Sequence, residues 1–441
     1  MVLPLDSPLA AEMRRRARGF FDQALVESSV ERAFRRHLEC ERGVLRVRED
    51  LYDLQAFSRV FVVSIGKAAH AMVEALESRA GSRFEGIVAS PLPHAAQFRG
   101  FRYFQGGHPV PTPESIRAAE AILKALTGQN AASLVIFLLS GGGSAVVEKP
   151  FDDEISADDL AAAYQALVLS GGSIAEINAI RKHLSAIKGG RLGLAAAPAR
   201  QVSLLISDVP DHQLDALASG PTMPDSTTLE DCYRIAAKYR LPEQMPASVR
   251  ELFEKRALEE TPKSADPAFV HSRWWTLSSN GALVEAAAEA ARGAGFAVTV
   301  DNSCDDWDYV RAGEYLLGRL RELRRQSPRS CLISGGEVTV KVLSGGRGGR
   351  NQQFALALAP KIAGENTTVL SAGSDGIDGN SPAAGAIVDG STAGRAHGRG
   401  LNPGLALEKF DAYPFFEALG DAIITGPTGN NLRDLRILLA Y

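Results

Sequence analysis

Ser133-Leu134-Val135-Ile136-Phe137-Leu138-Leu139-Ser140-Gly141-Gly142-Gly143-Ser144 sits a third of the way along the chain. Its apolar run does not alternate with polar residues, so it predicts a strand buried on both faces, as in the middle of a parallel sheet. The run ends abruptly in three glycines between serines. Consecutive glycines let a backbone bend until several N–H groups point at one place, and such a nest binds phosphate, with Ser140 and Ser144 adding hydroxyl donors. The alternative is a tight turn that needs only positive φ. The segment is neither GxxxxGK[ST] nor GxGxxG, and Pro150 follows too closely for a long helix to begin at once, as a Rossmann turn requires.

Similar strand patterns lie at 60–64, 86–89 and 202–207, with alanine-rich helical stretches at 68–80, 113–126 and 156–170 between them. That alternation predicts βαβ units and a parallel sheet with helices on both faces. Pro242, Pro246, Pro262 and Pro267 punctuate a charged stretch over 241–270, which reads as an interdomain connection. A second α/β run follows, with strands expected at 274–278, 297–300, 330–333, 338–342, 367–372 and 422–425. A chain of 441 residues exceeds what one core usually organises. Two α/β domains are therefore expected, at 10–255 and 270–441, with a cleft between them.

With 48 Lys+Arg against 52 Asp+Glu the net charge is −4, so no global field attracts nucleic acid and an anionic ligand must meet locally placed cations. Cys40, Cys232, Cys304 and Cys331 are widely spaced, which fits neither a disulfide framework nor a cysteine-rich zinc site and suits a reducing compartment. Arg14, Arg15, Arg16 and Arg18 precede no long apolar stretch. Phe21, Leu25, Val30, Phe34 and Leu38 recur at helical spacing, as in an amphipathic opening helix. A cytoplasmic protein without a membrane span is expected.

Further candidates stand at the ends of the other strands. Lys67, in the turn 64–69, would lie at the first turn of a helix beside free backbone donors; the alternative is a solvated lysine. Over 177–191, Ile177, Ile180, Leu184 and Ile187 form an apolar stripe, and Asn178, Arg181, Ser185 and Lys188 form a polar stripe beside it, with Gly189-Gly190 ending the helix. Such a helix suits the rim of an anion-receiving cleft, or else a solvated basic face. Asp208 ends an apolar strand, where a carboxylate can hold Mg²⁺ or accept a hydroxyl proton, unless it merely caps a turn. The turn 218–222, with Gly220 and Thr222, is again rich in backbone donors. Arg347 and Arg350 lie in the glycine run 345–350, followed by Asn351, where a guanidinium can face a transferring phosphoryl group. Asp375 and Asp378 follow another strand without the later glutamate of an EF-hand. The segment 425–431 is expected to open the last helix. His183 has neither a partner at metal-ligand spacing nor a nearby nucleophile.

The runs SIGKAA (64–69), GGHPVP (106–111), LLSGGGSA (138–145), INAIRKHLSAIKGGRL (177–192), ASGPT (218–222), SGGEVTV (334–340), GGRNQQ (from Gly348-Gly349 to Gln352), GSDGIDG (373–379) and TGPTGNN (425–431) belong to one pattern. Through them nearly the whole chain resembles the glycerate 2-kinases of the MOFRL type, some of which were once labelled hydroxypyruvate reductases. The resemblance implies an N-terminal Rossmann-like domain, a smaller C-terminal α/β domain with the MOFRL region near 328–436, and an active site in the interdomain cleft. It further implies ATP, Mg²⁺ and D-glycerate, with 2-phosphoglycerate as product and room for a homodimer. In that family the residues matching Lys67 and Arg350 are regarded as catalytic. The chain departs from the pattern at Asp211-His212, at Asn430 and at Gly379-Asn380-Ser381-Pro382.

The mechanism so implied is an in-line transfer driven by positioning and charge neutralisation. Ser140, Gly141, Gly142, Gly143 and Ser144, with Gly220 and Thr222, would hold ATP phosphates. Lys67 and Arg350 would face the migrating group. Arg181, Lys188 and Asn351 would bind glycerate. Asp208, with Asp375 or Asp378, would hold Mg²⁺, and Asp208 could instead take the hydroxyl proton. Two rivals remain at this point: an NAD(P)H-dependent hydroxypyruvate reductase, against which the missing GxGxxG counts, and a non-catalytic sugar-phosphate-binding protein.

Overall fold

The computed structural model describes residues 8–81, 84–93, 97–342 and 345–441, the side chain of Asp211 excepted. The chain forms two compact units: a middle unit, Ala33–Leu277, and a terminal unit built from both chain ends, Met1–Arg32 with Ser278–Tyr441.

The middle unit opens with a small antiparallel meander of β1 (Leu38–Glu41), β2 (Val44–Val47) and β3 (Asp50–Asp53). Its main sheet contains β4 (Arg59–Ile65), β5 (Glu85–Ser90), β6 (Phe101–Gln105), β7 (Ser133–Ser140), β8 (Arg200–Ile206) and β9 (Ser272–Ser278), in the order β6-β5-β4-β7-β8-β9. The first five are mutually parallel. The chain works outward from β4 through β5 to β6, then returns to the other side of β4 and works outward through β7 and β8. Strand order therefore reverses between β4 and β7, whose register, Ile65 opposite Leu139, brings their C-terminal ends level. In open α/β sheets the crevice at such a reversal is where ligands bind.

All eight residues of β7 are buried, because neighbouring strands close both edges and helices close both faces. Val63, Phe137, Leu139, Ile122 and Leu205 share one core cluster. Side-chain caps start the flanking helices: Thr112 and Ser115 box the start of Pro113–Leu126, and Ser173 and Glu176 that of Ile174–Leu184.

The stretch expected as an interdomain connection is instead part of a core. Leu241, Met245, Val249, Phe253 and Leu258 bury themselves with Ile180, Leu184 and Ile235. Pro242 sits in the first turn of Leu241–Gln244 and Pro246 at the N-cap of Ala247–Glu254, so these prolines begin helices where a missing N–H does no harm. The strand expected to open the second run, β9, completes the first sheet instead.

In the terminal unit, helix Pro8–Glu27 packs on helix Asn280–Gly293, with Phe20 edge-on to Phe296 at 5.9 Å. Its Arg14 reaches Asp389 at 3.2 Å. The opening helix, expected with the N-terminal domain, thus belongs with the C-terminal part of the chain. The sheet comprises β10 (Ala297–Val300), β11 (Ser330–Gly335), β12 (Thr367–Gly373), β13 (Gly385–Asp389), β14 (Ala422–Ile423) and β15 (Asp434–Ala440), ordered β10-β11-β15-β12-β13-β14. Only β10 and β11 pair in parallel; the other pairings are antiparallel. The helix expected after 425–431 is instead β15, the strand between β11 and β12. A leucine-rich segment suits either a helix or a strand closed on both faces, and here all seven residues are buried between two neighbours. Over 338–342 a single bridge, Asp308 with Thr339, replaces the expected strand. No helix among the described residues is long and apolar enough to cross a membrane, and all four cysteines are free thiols.

Candidate functional site

The loops at the strand reversal of the middle unit gather most of the expected residues. Lys67 N–H donates to Gly141 O at 2.9 Å, and Ala68 N–H to Ser140 Oγ at 3.0 Å, which ties the turn after β4 to the turn after β7. Helix Ala69–Ala80 starts there without a side-chain cap. Gly142 has φ 82°, in the left-handed region that the bend requires. A Cβ there would meet Lys67 Cγ at 3.2 Å and His108 Cε1 at 3.5 Å, so these two side chains flank the turn. A Cβ on Gly141 would lie 1.8 Å from Oδ2 of Asp208, so the carboxylate after β8 faces the same turn. Lys67, Ser140–Ser144 and Asp208 are thus brought together.

A second layer supports this turn. Ser144 and Ser219 share a hydrogen bond at 2.6 Å. Ala218, Ser219 and Gly220 have φ of 49°, 61° and 62°, three left-handed residues in a row. Such backbone costs about 1–3 kcal/mol at a non-glycine residue and persists only where surroundings enforce it. Here Gly189 and Gly190 N–H donate to the carbonyls of Ser219 and Gly220 at 3.0 and 2.8 Å.

Four expectations fail here or in the terminal unit. Lys188 is not on a basic helix face: the helix ends at Leu184, and Ser185 turns away to hydrogen-bond Glu148 at 2.5 Å. The Lys188 ammonium is buried, ion-paired to Glu148 and bonded to Ser144 O at 2.8 Å. Burial pushes its pKa down, while Glu148 opposes that shift. Glu148 also accepts from Tyr164 at 2.8 Å. The lysine therefore braces the glycine turn from behind rather than facing a substrate. The Thr222 hydroxyl is buried against Ser203 Oγ at 2.9 Å, where it helps pack β8 instead of facing the loops. Arg181 lies over the Tyr164 ring at 4.9 Å, half-buried, with a buried Nε that has no hydrogen-bond partner among the described residues.

In the terminal unit Arg350 opens helix Arg350–Leu358. Its Nε and Nη2 meet Asp434 at 2.6 and 3.0 Å, and Nη2 meets Glu337 at 2.6 Å. Burial would lower its pKa, but Asp434 and Glu337 outweigh burial and raise it, so the guanidinium is permanently charged. Asp375 and Asp434 converge at the end of β12, where a Cβ on Gly373 would lie 3.3 and 3.5 Å from their Oδ1 atoms. Arg347 stacks on Tyr413 at 4.8 Å.

Asp378, expected at a metal, accepts instead from the backbone N–H of Asn351 at 3.1 Å and of Gln352 at 2.9 Å. Burial pushes its pKa up to about 7 against these hydrogen bonds. Asn351, expected at the substrate, is the fourth failure: it is buried, with Oδ1 accepting from Ser371 at 2.6 Å. Both hold the helix start. Among the described residues no three His, Cys, Asp or Glu side chains gather around a metal position. Mg²⁺ needs only one or two carboxylates when phosphates and waters complete its shell. Asp208, aimed at the glycine turn, fits that demand, and Asp378 does not.

Three functional candidates escaped the residue-level reading. His108 beside Lys67 has its pKa lowered by lost hydration first and by Lys67 second. Glu148 was legible only as an acid among apolar neighbours, Ala145-Val146-Val147. Asp434 begins the strand β15, in a segment whose pattern predicts a helix.

The family model described as "Domain of unknown function (DUF4147)" matches residues 16–254, and that of the MOFRL family matches residues 330–434. The D-glycerate 2-kinase of Thermotoga maritima is 36% identical over 398 residues, covering 89% of this chain and 93% of that protein. A putative hydroxypyruvate reductase of Agrobacterium vitis is 38% identical over 390 residues, 86% of this chain and 87% of that protein. The crystal structure of a glycerate kinase from Thermotoga maritima superimposes with a TM-score of 0.85 at 33% identity, over 98% of this chain and 100% of that one. With the two family models in order along the chain, and relatives of this identity over most of its length, the protein belongs to the MOFRL-type glycerate 2-kinases and is an enzyme of the kinase class.

Proposed function

We propose that this chain moves the γ-phosphoryl group of ATP onto D-glycerate, forming 2-phosphoglycerate in the cytosol. The observation that carries this is the convergence of Lys67, the left-handed Gly142 turn and Asp208 at the strand reversal of the middle unit. Backbone N–H groups of Gly141–Gly143, with the Ser144 hydroxyl, hold the phosphates. The Lys67 ammonium meets the oxygens of the migrating group, and Arg350 adds a second, permanent positive charge to them. Arg181 binds the glycerate carboxylate. Asp208 orients the acceptor hydroxyl or takes its proton. Mg²⁺ would neutralise phosphate charge, and the carboxylate that would hold it at the glycine turn is Asp208.

The relative named as a hydroxypyruvate reductase raises the hydride-transfer alternative. Dinucleotide sites of this topology carry GxGxxG after the first strand and an acid near the end of the second for the ribose. Here the first turn reads Ser64-Ile65-Gly66-Lys67, and β5 ends in Ser90. Phosphoryl transfer is the function these loops support.

³¹P NMR of a reaction with ATP and D-glycerate tests the proposal. A new phosphomonoester resonance split into a doublet by a single carbon-bound proton is expected for the 2-phosphate. A triplet would move the product to the 3-phosphate. NADH oxidation with hydroxypyruvate and no ATP turnover would overturn the proposal altogether.

A further inference from the structure

At the opposite end of the middle unit's sheet lies a groove of about 410 Å³ lined by Phe57, Pro198, Arg200, Val270, His271 and Arg273. Phe57 precedes β4, and Arg200 is the first residue of β8, so the groove opens at the N-terminal ends of the parallel strands. The glycine turn, Lys67 and Asp208 stand at the C-terminal ends. Seven residues of strand separate the two ends by about 23 Å. The groove is therefore no part of the site described above.

Its cations come together through the sheet. Gln201 N–H donates to His271 O at 3.0 Å, which lays the start of β9 beside Arg200. His271 and Arg273 flank the buried Ser272 and so project to the same side, as alternate residues of an extended strand do. Both guanidinium groups are braced: Arg200 lies over the Tyr52 ring at 4.8 Å, and Arg273 Nη1 donates to Ser272 O at 2.9 Å. Among the described residues neither arginine forms an ion pair. Asp50, the acid beside Tyr52, is engaged by the indole N–H of Trp275 at 2.9 Å. Phe57, Pro198 and Val270 supply apolar lining.

We infer that this groove binds a small organic phosphate, its phosphate held by Arg200 and Arg273 and its apolar body on Phe57, Pro198 and Val270. Two braced guanidinium forks match phosphate geometry, and among the described residues neither is ion-paired. The volume lies in the range of small-ligand sites. In a chain of net charge −4, such a pair is a local feature.

Isothermal titration with phenyl phosphate tests the assignment, with inorganic phosphate and phenol as controls. One saturable site is expected, weakened about tenfold or more in the Arg200→Ala/Arg273→Ala double variant, the scale of losing charge-assisted contacts. Lys67→Ala should leave this affinity unchanged, and the double variant should keep its kcat and KM for ATP and glycerate. Absence of binding, undiminished binding in the double variant, or loss in Lys67→Ala instead would each overturn it. So would inorganic phosphate or phenol binding as tightly as phenyl phosphate. Should the alanine pair fail to fold, Arg200→Lys/Arg273→Lys keeps the charge and removes the fork. Weaker binding is then expected, and unchanged affinity refutes the assignment.

Discussion

Each unit presents a helix that begins after a glycine-bearing turn and carries a cation at its start, yet the two beginnings differ. In the middle unit, helix Ala69–Ala80 starts beside Lys67 with no side-chain cap, facing the Gly141–Gly143 turn. In the terminal unit, helix Arg350–Leu358 starts beside Arg350 with the Asn351 and Gln352 N–H groups already taken by Asp378. At the first beginning the Lys67 and Ala68 N–H groups are tied to Gly141 O and Ser140 Oγ, so the glycine turn itself is held against the helix start. The second is closed by the protein's own carboxylate, so the terminal unit offers a side chain rather than a backbone cradle. Arg350 is in turn fixed by Asp434 and Glu337, which orient the guanidinium before any ligand arrives. Like patterns of glycine and cation therefore serve different ends, depending on where the nearest buried carboxylate lies.

The largest effect that would break this contrast is catalytic. Lys67→Ala should lower kcat by roughly 10³ or more, as loss of a charge facing a transferring phosphoryl group does. Arg350→Ala should do the same in a coupled ATP-turnover assay, and full activity in either variant would remove its assigned role. The two should part company in stability. Arg350→Ala strands the buried Asp434 and should cost about 2 kcal/mol by urea denaturation, less than the 3–5 of a wholly buried pair because Arg350 is about one-third exposed.

Next comes the brace behind the glycine turn. Lys188→Met leaves Glu148 buried and unpaired, and should lower unfolding free energy by about 3–5 kcal/mol. Restoring neutrality with Glu148→Gln in the same chain should recover part of that loss. A variant as stable as the parent would show that the pair is dispensable.

The smallest effect concerns the closed helix start. Asp378 titrates near 7 when folded, against about 3.9 in an unfolded chain. Between those values the folded protein keeps a proton that the unfolded chain has released, so this group's contribution to stability falls as pH rises from about 4 to about 7. Asp378→Asn retains an acceptor for the helix and removes the titration. Its melting temperature should therefore fall less than the parent's between pH 5 and pH 8, and identical slopes would exclude a titrating Asp378.

Much was legible from local pattern alone. The strands β4, β5, β7 and β8, the helix Pro113–Leu126 and the glycine turn at 141–143 follow from unbroken apolar runs and turn residues, because burial on both faces and left-handed backbone each restrict residue type locally. Lys67 and Asp208 could be marked as strand-end residues for the same reason. Local pattern did not place β15, since a short leucine-rich run fits a helix or a doubly covered strand equally well. Nor did it show that Pro242 and Pro246 begin packed helices, or that the opening helix joins the far end of the chain.

The division among polar groups lay further still from the sequence. Whether Lys188, Thr222, Asn351 and Asp378 face a ligand or the interior depends on which side chains lie across from them, and Glu148, Ser203 and Ser371 come from distant parts of the chain. A buried polar group must be satisfied by whatever the fold sets beside it, so only the folded chain assigns the partners. Residue types and their order suffice for the strands and the glycine turns. Tertiary packing alone decided which charges remain to meet a substrate and which were already neutralised by the protein.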